Sequence, residues 1–460
     1  MPTPTPPDVA AAAVALKHLS IEELILPVLA QLVVIIAVAR VAGAVARRVG
    51  QPTAVGEIIA GLLLGPSLFG WVAPVWWGML FHPQLPGVDT ALAAAAFPKV
   101  FDVLAQLGLI FLLFLIGLEF EFSHLRTSGT TAVAVAVVGT ALPVLLGVGL
   151  APVVHPYLED HPTRGPVPLL GLTLFMGVAM AITAIPILGR MLIELGINRT
   201  KLGAVVITAA AVGDAAGWIM LATIAAVVRS GFDPRATAIM AAETVGFAAL
   251  MFVIARPLMV RYFTYSLRGA GGQPSLTVLA VVLVLLLLSA LATNLIGIFA
   301  IFGAFLLGAA LSDQHEFREA VAGKMRDLVT AFFLPIFFTY TGLRTNVDTL
   351  AGGTQWLIFA GVMAAAVGGK FGGCMLAARL TGVRTREAAL IGVMMNTRAL
   401  MELIVINVGY ELGVIPPSLF AMLVLMAIIT TVMTTPIILL LRRGTELEEP
   451  IAASGFLRRA

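Results

Sequence analysis

The chain has 460 residues, of which 60% are hydrophobic and only 12% charged, with a net charge of +3. A soluble domain carries about 25% charged residues, so the composition excludes a soluble enzyme and points to a polytopic membrane protein. The small excess of positive charge is dispersed through short loops, which argues against a nucleic-acid partner. The single cysteine, Cys374, lies in an apolar segment and cannot form an intramolecular disulfide.

Residues 1–20 open with Met1-Pro-Thr-Pro-Thr-Pro-Pro7, which lacks the basic stretch of a cleavable signal and reads as a short extracytoplasmic arm. Apolar runs separated by charged or Pro/Gly-rich breaks then predict about thirteen transmembrane helices. They cover 21–40, 52–70, 100–119, 130–154, 166–190, 202–228, 235–260, 274–291, 295–311, 327–343, 355–379, 386–409 and 416–441. The fold class is therefore all-α and membrane-embedded, with lipid as the surrounding partner. A transmembrane domain over 21–443 is followed by a short tail, 444–460. With the N-terminus outside, 20 of the 28 basic residues fall in inner loops or the tail and six outside, while Lys370 and Arg398 lie within apolar segments. That bias places the C-terminus in the cytoplasm of a cell-membrane protein.

A weak internal repeat runs through these segments. Gly61-Leu-Leu-Leu-Gly-Pro-Ser-Leu68 in the second matches Ala304-Phe-Leu-Leu-Gly-Ala-Ala-Leu311 in the ninth, and Gly117-Leu118-Glu119 at the end of the third matches Gly342-Leu343-Arg344 at the end of the tenth. Matching segments run in opposite directions through the membrane. Two inverted six-helix repeats about a linking seventh segment, 235–260, would produce this pattern. The fifth and twelfth segments are then counterparts, and each is interrupted. Pro186 breaks the fifth at Ala181-Ile-Thr-Ala-Ile-Pro-Ile187, freeing carbonyls near Ile182 and Thr183. The twelfth carries Met395-Asn-Thr-Arg-Ala-Leu400 near its middle. Unwound backbone at membrane depth survives only where it is buried or lines a cavity.

The sixth segment holds the residue most in need of explanation. Within Leu202–Val228 the only polar side chains besides Asp214 are Thr208, Trp218 and Thr223. A charged carboxylate at the bilayer centre costs about 2.5–3.5 kcal/mol on insertion scales, and such residues mark ion or proton pathways. Asp214, the hydroxyl of Thr183, the freed backbone at Ile182 and the amide of Asn396 are the candidate ligands of an alkali cation or proton. Lys370, nine residues before Arg379, sits about 13 Å from the inner edge and is expected to pair with Asp214, with Glu402 as the other acid available. Arg398 and Glu402 are spaced to pair along their own helix. Asn294, Glu57, Glu119 and Glu243 are secondary candidates, and His82, His155, His161 and His315 fall in loops. No phosphate-binding loop or Cys/His metal spacing occurs, so neither ATP-driven transport nor a resident cofactor is expected.

At these motifs the sequence resembles the monovalent cation:proton antiporter superfamily, in the branch of bacterial sodium/proton and potassium/proton exchangers and plant cation/proton exchangers. The resemblance rests on Gly56-Glu-Ile-Ile-Ala-Gly-Leu-Leu-Leu-Gly-Pro-Ser-Leu-Phe-Gly70, Phe114-Leu-Ile-Gly-Leu-Glu119, Ile182-Thr-Ala-Ile-Pro-Ile-Leu-Gly-Arg-Met-Leu192, Leu334-Pro-Ile-Phe-Phe338 and Met395-Asn-Thr-Arg-Ala-Leu-Met-Glu402, in that order along nearly the whole chain. It implies a homodimer and no enzymatic activity. It also implies a scaffold (21–119 and 274–343), a moving core (130–228 and 355–441) and crossed, discontinuous helices at the site. Asp214 falls on the family's ion-binding aspartate and Lys370 on its core lysine, with elevator-like movement of core against scaffold.

Two departures bear on charge. Electrogenic members have adjacent acids where this chain has Gly213-Asp214, and an acid after the threonine where it has Thr183-Ala184. One carboxylate predicts one-for-one, electroneutral exchange of Na⁺ or K⁺ for a proton, unless Lys370 releases its own proton in the cycle. The seventeen residues after Arg443 are too few for the nucleotide-binding regulatory domain of potassium-efflux relatives. The alternative is a sodium-coupled organic-anion symporter of related inverted-repeat fold. An intramembrane aspartyl protease ranks below it, because that chemistry needs a second convergent aspartate. A passive channel is also disfavoured.

Overall fold

A computed structural model describes residues 21–83, 90–119, 129–183, 185–198, 200–231, 233–269, 275–398 and 400–454. The N-terminal arm and the end of the tail lie outside the described residues. Within them, apart from one isolated bridge between His161 and Gly165, all regular structure is helical. We name the principal helices α1 (Ile21–Arg48), α2 (Thr53–Leu64), α3 (Thr90–Leu118), α4 (Thr130–Val154), α5 (Leu169–Ala181), α6 (Ile185–Glu194), α7 (Lys201–Arg229), α8 (Pro234–Leu250) and α9 (Arg256–Gly269). The second half continues with α10 (Leu276–Ile296), α11 (Ala300–Ala310), α12 (His315–Leu328), α13 (Leu334–Leu343), α14 (Gly353–Val367), α15 (Gly373–Leu380), α16 (Thr385–Met395), α17 (Leu400–Glu411) and α18 (Pro417–Leu441). Single π turns at Met251–Ala255, Val329–Phe333 and Gly368–Gly372 join α8 to α9, α12 to α13 and α14 to α15.

Among the described residues nine helices are long and apolar enough to cross a membrane, and α16 with α17, bent by 44°, make a tenth. The other expected segments fall on shorter pieces. The fifth is split into α5 and α6, the ninth is the short α11, and the tenth begins in polar α12 and passes through the π turn into α13. The third segment was expected to begin at residue 100, but α3 starts at Thr90. Its Lys99 and Asp102 are paired at 3.2 Å and Asp102 also accepts from Arg344 at 3.0 Å, so these charges are satisfied within a continuing helix. The outward surface is apolar: only 6% of the most hydrophobic stretch of Pro234–Ser266 is buried, a surface suited to lipid and not to water.

The helices sort into two packed groups. In one, α2 packs on α1 and α13, and α11 packs on α3 and α10; in the other, α4 gathers α5, α7, α14 and α15, while α18 packs on α14, α16 and α17. Two near-contacts of backbone hold the first group together. A Cβ on Gly61 would stand 2.0 Å from the Thr339 carbonyl oxygen and one on Gly342 2.2 Å from that of Ile58. Likewise a Cβ on Gly117 would meet the Phe305 carbonyl at 2.4 Å and one on Gly308 that of Phe114 at 2.3 Å. Only glycine lets helices approach so closely. The first crossing joins second and tenth segments and the other joins third and ninth, the exchange of partners that an inverted repeat requires.

Candidate ion site

The site is built where two interrupted helices meet the middle of an uninterrupted one. α5 ends at Ala181, and Ile182 turns away in extended conformation (ψ 144°). Pro186 does not interrupt an internal hydrogen bond, because it is the second residue of α6. At that position the missing N–H has no helical partner to lose and the fixed φ starts the helix. The proline therefore opens a second half-helix, and the freed carbonyls belong to the end of α5. On the other strand of the crossing α16 stops at Met395 and α17 starts at Leu400. The two breaks are tied together by the Thr183 hydroxyl, which donates to the Met395 carbonyl at 3.2 Å.

Two buried cations cap the carboxyl end of α5. Arg398, with no exposed surface, donates to the carbonyls of Ala179 (2.8 Å) and Met180 (2.6 Å). It also reaches the Ala366 carbonyl at 3.3 Å and Glu402 at 2.9 Å. Lys370, equally buried and carried on the π turn Gly368–Gly372, donates to the Ala181 carbonyl. A helix C-terminus carries roughly half a negative charge, so cations there are favoured. The expected Lys370–Asp214 ion pair is not formed, and Lys370 does not pair with Glu402 either. The ammonium takes the orphaned end of α5 instead. The second break is tended by α18, where Thr431 donates to the Arg398 carbonyl at 2.5 Å and Thr434 accepts from Thr397 at 3.3 Å.

Asp214 lies at the centre of the 29-residue α7, about 20 Å from either end, and is 1% exposed. α7 packs against both α5 and α16, the half-helices that end at the two breaks. The approach needs small neighbours: a Cβ on Gly217 would press on Ile182 at 3.1 Å, and one on Gly213 would meet Thr140 at 3.6 Å. Asp214 Oδ1 has no hydrogen-bond partner, nor have either of the amide atoms of Asn396, which is also fully buried. Buried polar atoms are nearly always paired, so these unpartnered oxygens are what an oxygen-ligated cargo ion or a proton would satisfy. Among the described residues no group of three His, Cys, Asp or Glu side chains could hold a metal ion, and the arrangement is one of hard oxygens around a single carboxylate.

A second polar region lies at the Arg229 end of α7. A cavity of about 1380 Å³ is lined by Asp102, Gln106, Arg164, Arg229, Arg344 and Glu411, among others, and its α7 lining stops at Val228 and Arg229, short of Asp214. There Gln106 donates to Glu411 at 3.3 Å and His161 packs on Tyr410 with ring centres 4.8 Å apart. Burial, with help from Arg164 and Arg344, pulls the His161 imidazole below its ordinary value of 6.5, opposed by the Tyr410 backbone. A lowered imidazole means the unfolded chain binds more protons, so stability is retained above pH 6.5 and falls as acid drives the ring toward its lowered value. His161→Phe should flatten that acid limb in a melting series by scanning fluorimetry; an unchanged slope assigns the limb elsewhere.

The remaining candidates lie away from the crossing. Glu57 is buried on α2, Glu119 pairs with Arg326 at 2.5 Å, Glu243 is exposed on α8, and Asn294 sits at the end of α10.

With this geometry the chain matches the model of the sodium/hydrogen exchanger transmembrane family over residues 33–441. The chain belongs to this family. Its members are transporters, not enzymes, so the multi-span architecture is that of a membrane antiporter family. The chain is 38% identical over 420 residues to the Na⁺/H⁺ antiporter NhaS4 of Synechocystis, covering 90% of this chain and 97% of that one. It is 34% identical over 414 residues to cation/H⁺ antiporter 17 of Arabidopsis thaliana, covering 89% of this chain. It spans 47% of that plant relative's length. In fold it is similar to the sodium proton antiporter MjNhaP1 of Methanocaldococcus jannaschii, with a TM-score of 0.58 at 15% identity over 92% of this chain and 98% of that one. Two features of the candidate site are not legible in the motifs: the carbonyl partners of Arg398 and the surroundings of Trp218. Arg398 bonds carbonyls more than 200 positions away, and Trp218 reads as one more ring in an apolar helix; a tryptophan four residues after the membrane aspartate was the available signal.

Proposed function

We propose that the chain is a secondary-active antiporter exchanging Na⁺ or K⁺ for protons, with Asp214 holding either a cation or a proton. The observation that carries this reading is the buried, half-unpartnered carboxylate on the one helix that packs against both interrupted half-helices, α5 and α16. Thr183, Asn396 and the backbone at Ile182 complete an oxygen-rich seat, while Lys370 and Arg398 hold the α5 terminus. With the seat empty, a bare charge meets the apolar partner group and the seat stays put; proton or cation removes that charge and lets the group cross. The group of α4–α7 and α14–α18 is the moving core, and the group of α1–α3 and α10–α13 the scaffold of a homodimer in the cell membrane, N-terminus outside.

One carboxylate per seat gives one proton for one cation. Reconstituted protein challenged in turn with Na⁺, K⁺, Li⁺ and Rb⁺ should move protons at rates unaffected by a valinomycin voltage clamp. Rates that follow the imposed voltage would mean a second charge, carried by Lys370. Proton movement that requires an organic anion would replace the exchanger by a symporter.

A further inference from the structure

Trp218 follows Asp214 by four residues on α7, one turn nearer the Arg229 end and on the same face. It is 3% exposed, and its indole N–H has no formed hydrogen bond. An indole N–H can only donate, and a buried donor seldom stands unused. One turn away on the same face stands the Asp214 carboxyl, whose Oδ1 is also unpartnered. The ring faces a different structure. It stacks on Phe305 with centroids 5.4 Å apart at 24°, and stands edge-on to Phe302 at 5.6 Å and 84°. Both phenylalanines belong to α11, which packs with α3 and α10 in the other group of helices. One side chain therefore stands a helical turn from the carboxylate on its own helix and packs on the opposing helices across the seam.

We propose that Trp218 is the positioning residue that couples occupancy of Asp214 to the seam between the two helix groups. The inference rests on Asp214 being the shared seat. When that carboxylate is bare, its charge draws the indole N–H and holds the ring against Phe302 and Phe305, so the empty seat is fixed. When a proton or cation takes the carboxylate, the N–H loses its charged acceptor and the ring is released to slide. An empty seat that crossed would return without cargo after delivering a proton, and the result would be proton leak. Trp218 thus prevents slippage as well as orienting the carboxylate.

Two variants separate these parts in proteoliposomes. Trp218→Phe keeps a ring in the stack and removes the donor. It should leave the maximal rate within about twofold, move the acid limb of exchange to higher pH because the carboxylate has lost a stabilising donor, and admit a cation-independent proton leak. Phe305→Leu keeps the donor and breaks the stack; it should leak with the acid limb in place. A Trp218→Phe protein with wild-type acid limb and no leak overturns the proposal, as does a tight Phe305→Leu protein should Trp218→Phe fail to fold. An Asp214→Asn control distinguishes the two levels: exchange surviving there removes the seat itself, whereas an inactive control beside a wild-type-like Trp218→Phe removes only the role of Trp218.

Discussion

Asp214→Asn should yield a folded protein that no longer moves protons in answer to any alkali cation, with exchange at the level of protein-free vesicles. Asparagine keeps the shape and loses both functions of the carboxylate, since it neither takes up a proton nor supplies charge to a cation. The same change should raise thermal stability. A carboxylate 1% exposed at the centre of α7 has no formed ion pair, and its charged form costs about 2.5–3.5 kcal/mol at that depth. Removing that cost should raise the melting temperature by several degrees, which separates a lost function from a lost fold. Loss of activity accompanied by a lower melting temperature and aggregation would make Asp214 a structural residue. Full cation-driven proton movement in the variant would remove it from the site altogether.

The largest loss of stability is expected from Arg398→Leu. The guanidinium satisfies Glu402 and the carbonyls of Ala179, Met180 and Ala366, and all of this is sealed from solvent. Its removal leaves Glu402 buried without its cation, and Oε1 of that carboxylate already lacks a partner. Breaking a buried pair from one side typically costs about 3–5 kcal/mol, whereas replacing both charges by apolar groups is far less damaging. The double variant Arg398→Leu/Glu402→Leu should therefore recover part of the loss, though not all, because the α5 carbonyls stay uncapped. Unfolding of the purified protein, with the two single variants completing the cycle, gives the coupling. A single variant as stable as wild type would mean that water or another donor caps α5.

Much of this fold is written locally, and the site only in part. Apolar runs place the helices because lipid demands uninterrupted hydrogen-bonded segments, and Asp214 stands out because nothing in Leu202–Val228 explains it. The breaks at Pro186 and at Asn396-Thr397-Arg398 are equally local. What local reading does not supply is the partner of each buried charge. Lys370 finds Ala181, 189 positions away, because α5 ends there and a helix terminus competes with a carboxylate for a cation. The π turn that carries Lys370 lies in Gly368–Gly372, and its register depends on packing against α4: a Cβ on Gly369 would meet Pro143 at 3.0 Å. The early start of α3 is legible only once Arg344 is known to stand beside Asp102.

The account turns on a single carboxylate serving two ions in turn, and that can be measured without transport. Purified protein in weakly buffered detergent, with a pH dye, is titrated with NaCl or KCl against a choline control. Wild type should release up to one proton per chain as the alkali cation binds, saturably, and Asp214→Asn should release none. Cation binding seen by calorimetry without proton release, or release that persists in Asp214→Asn, would contradict it.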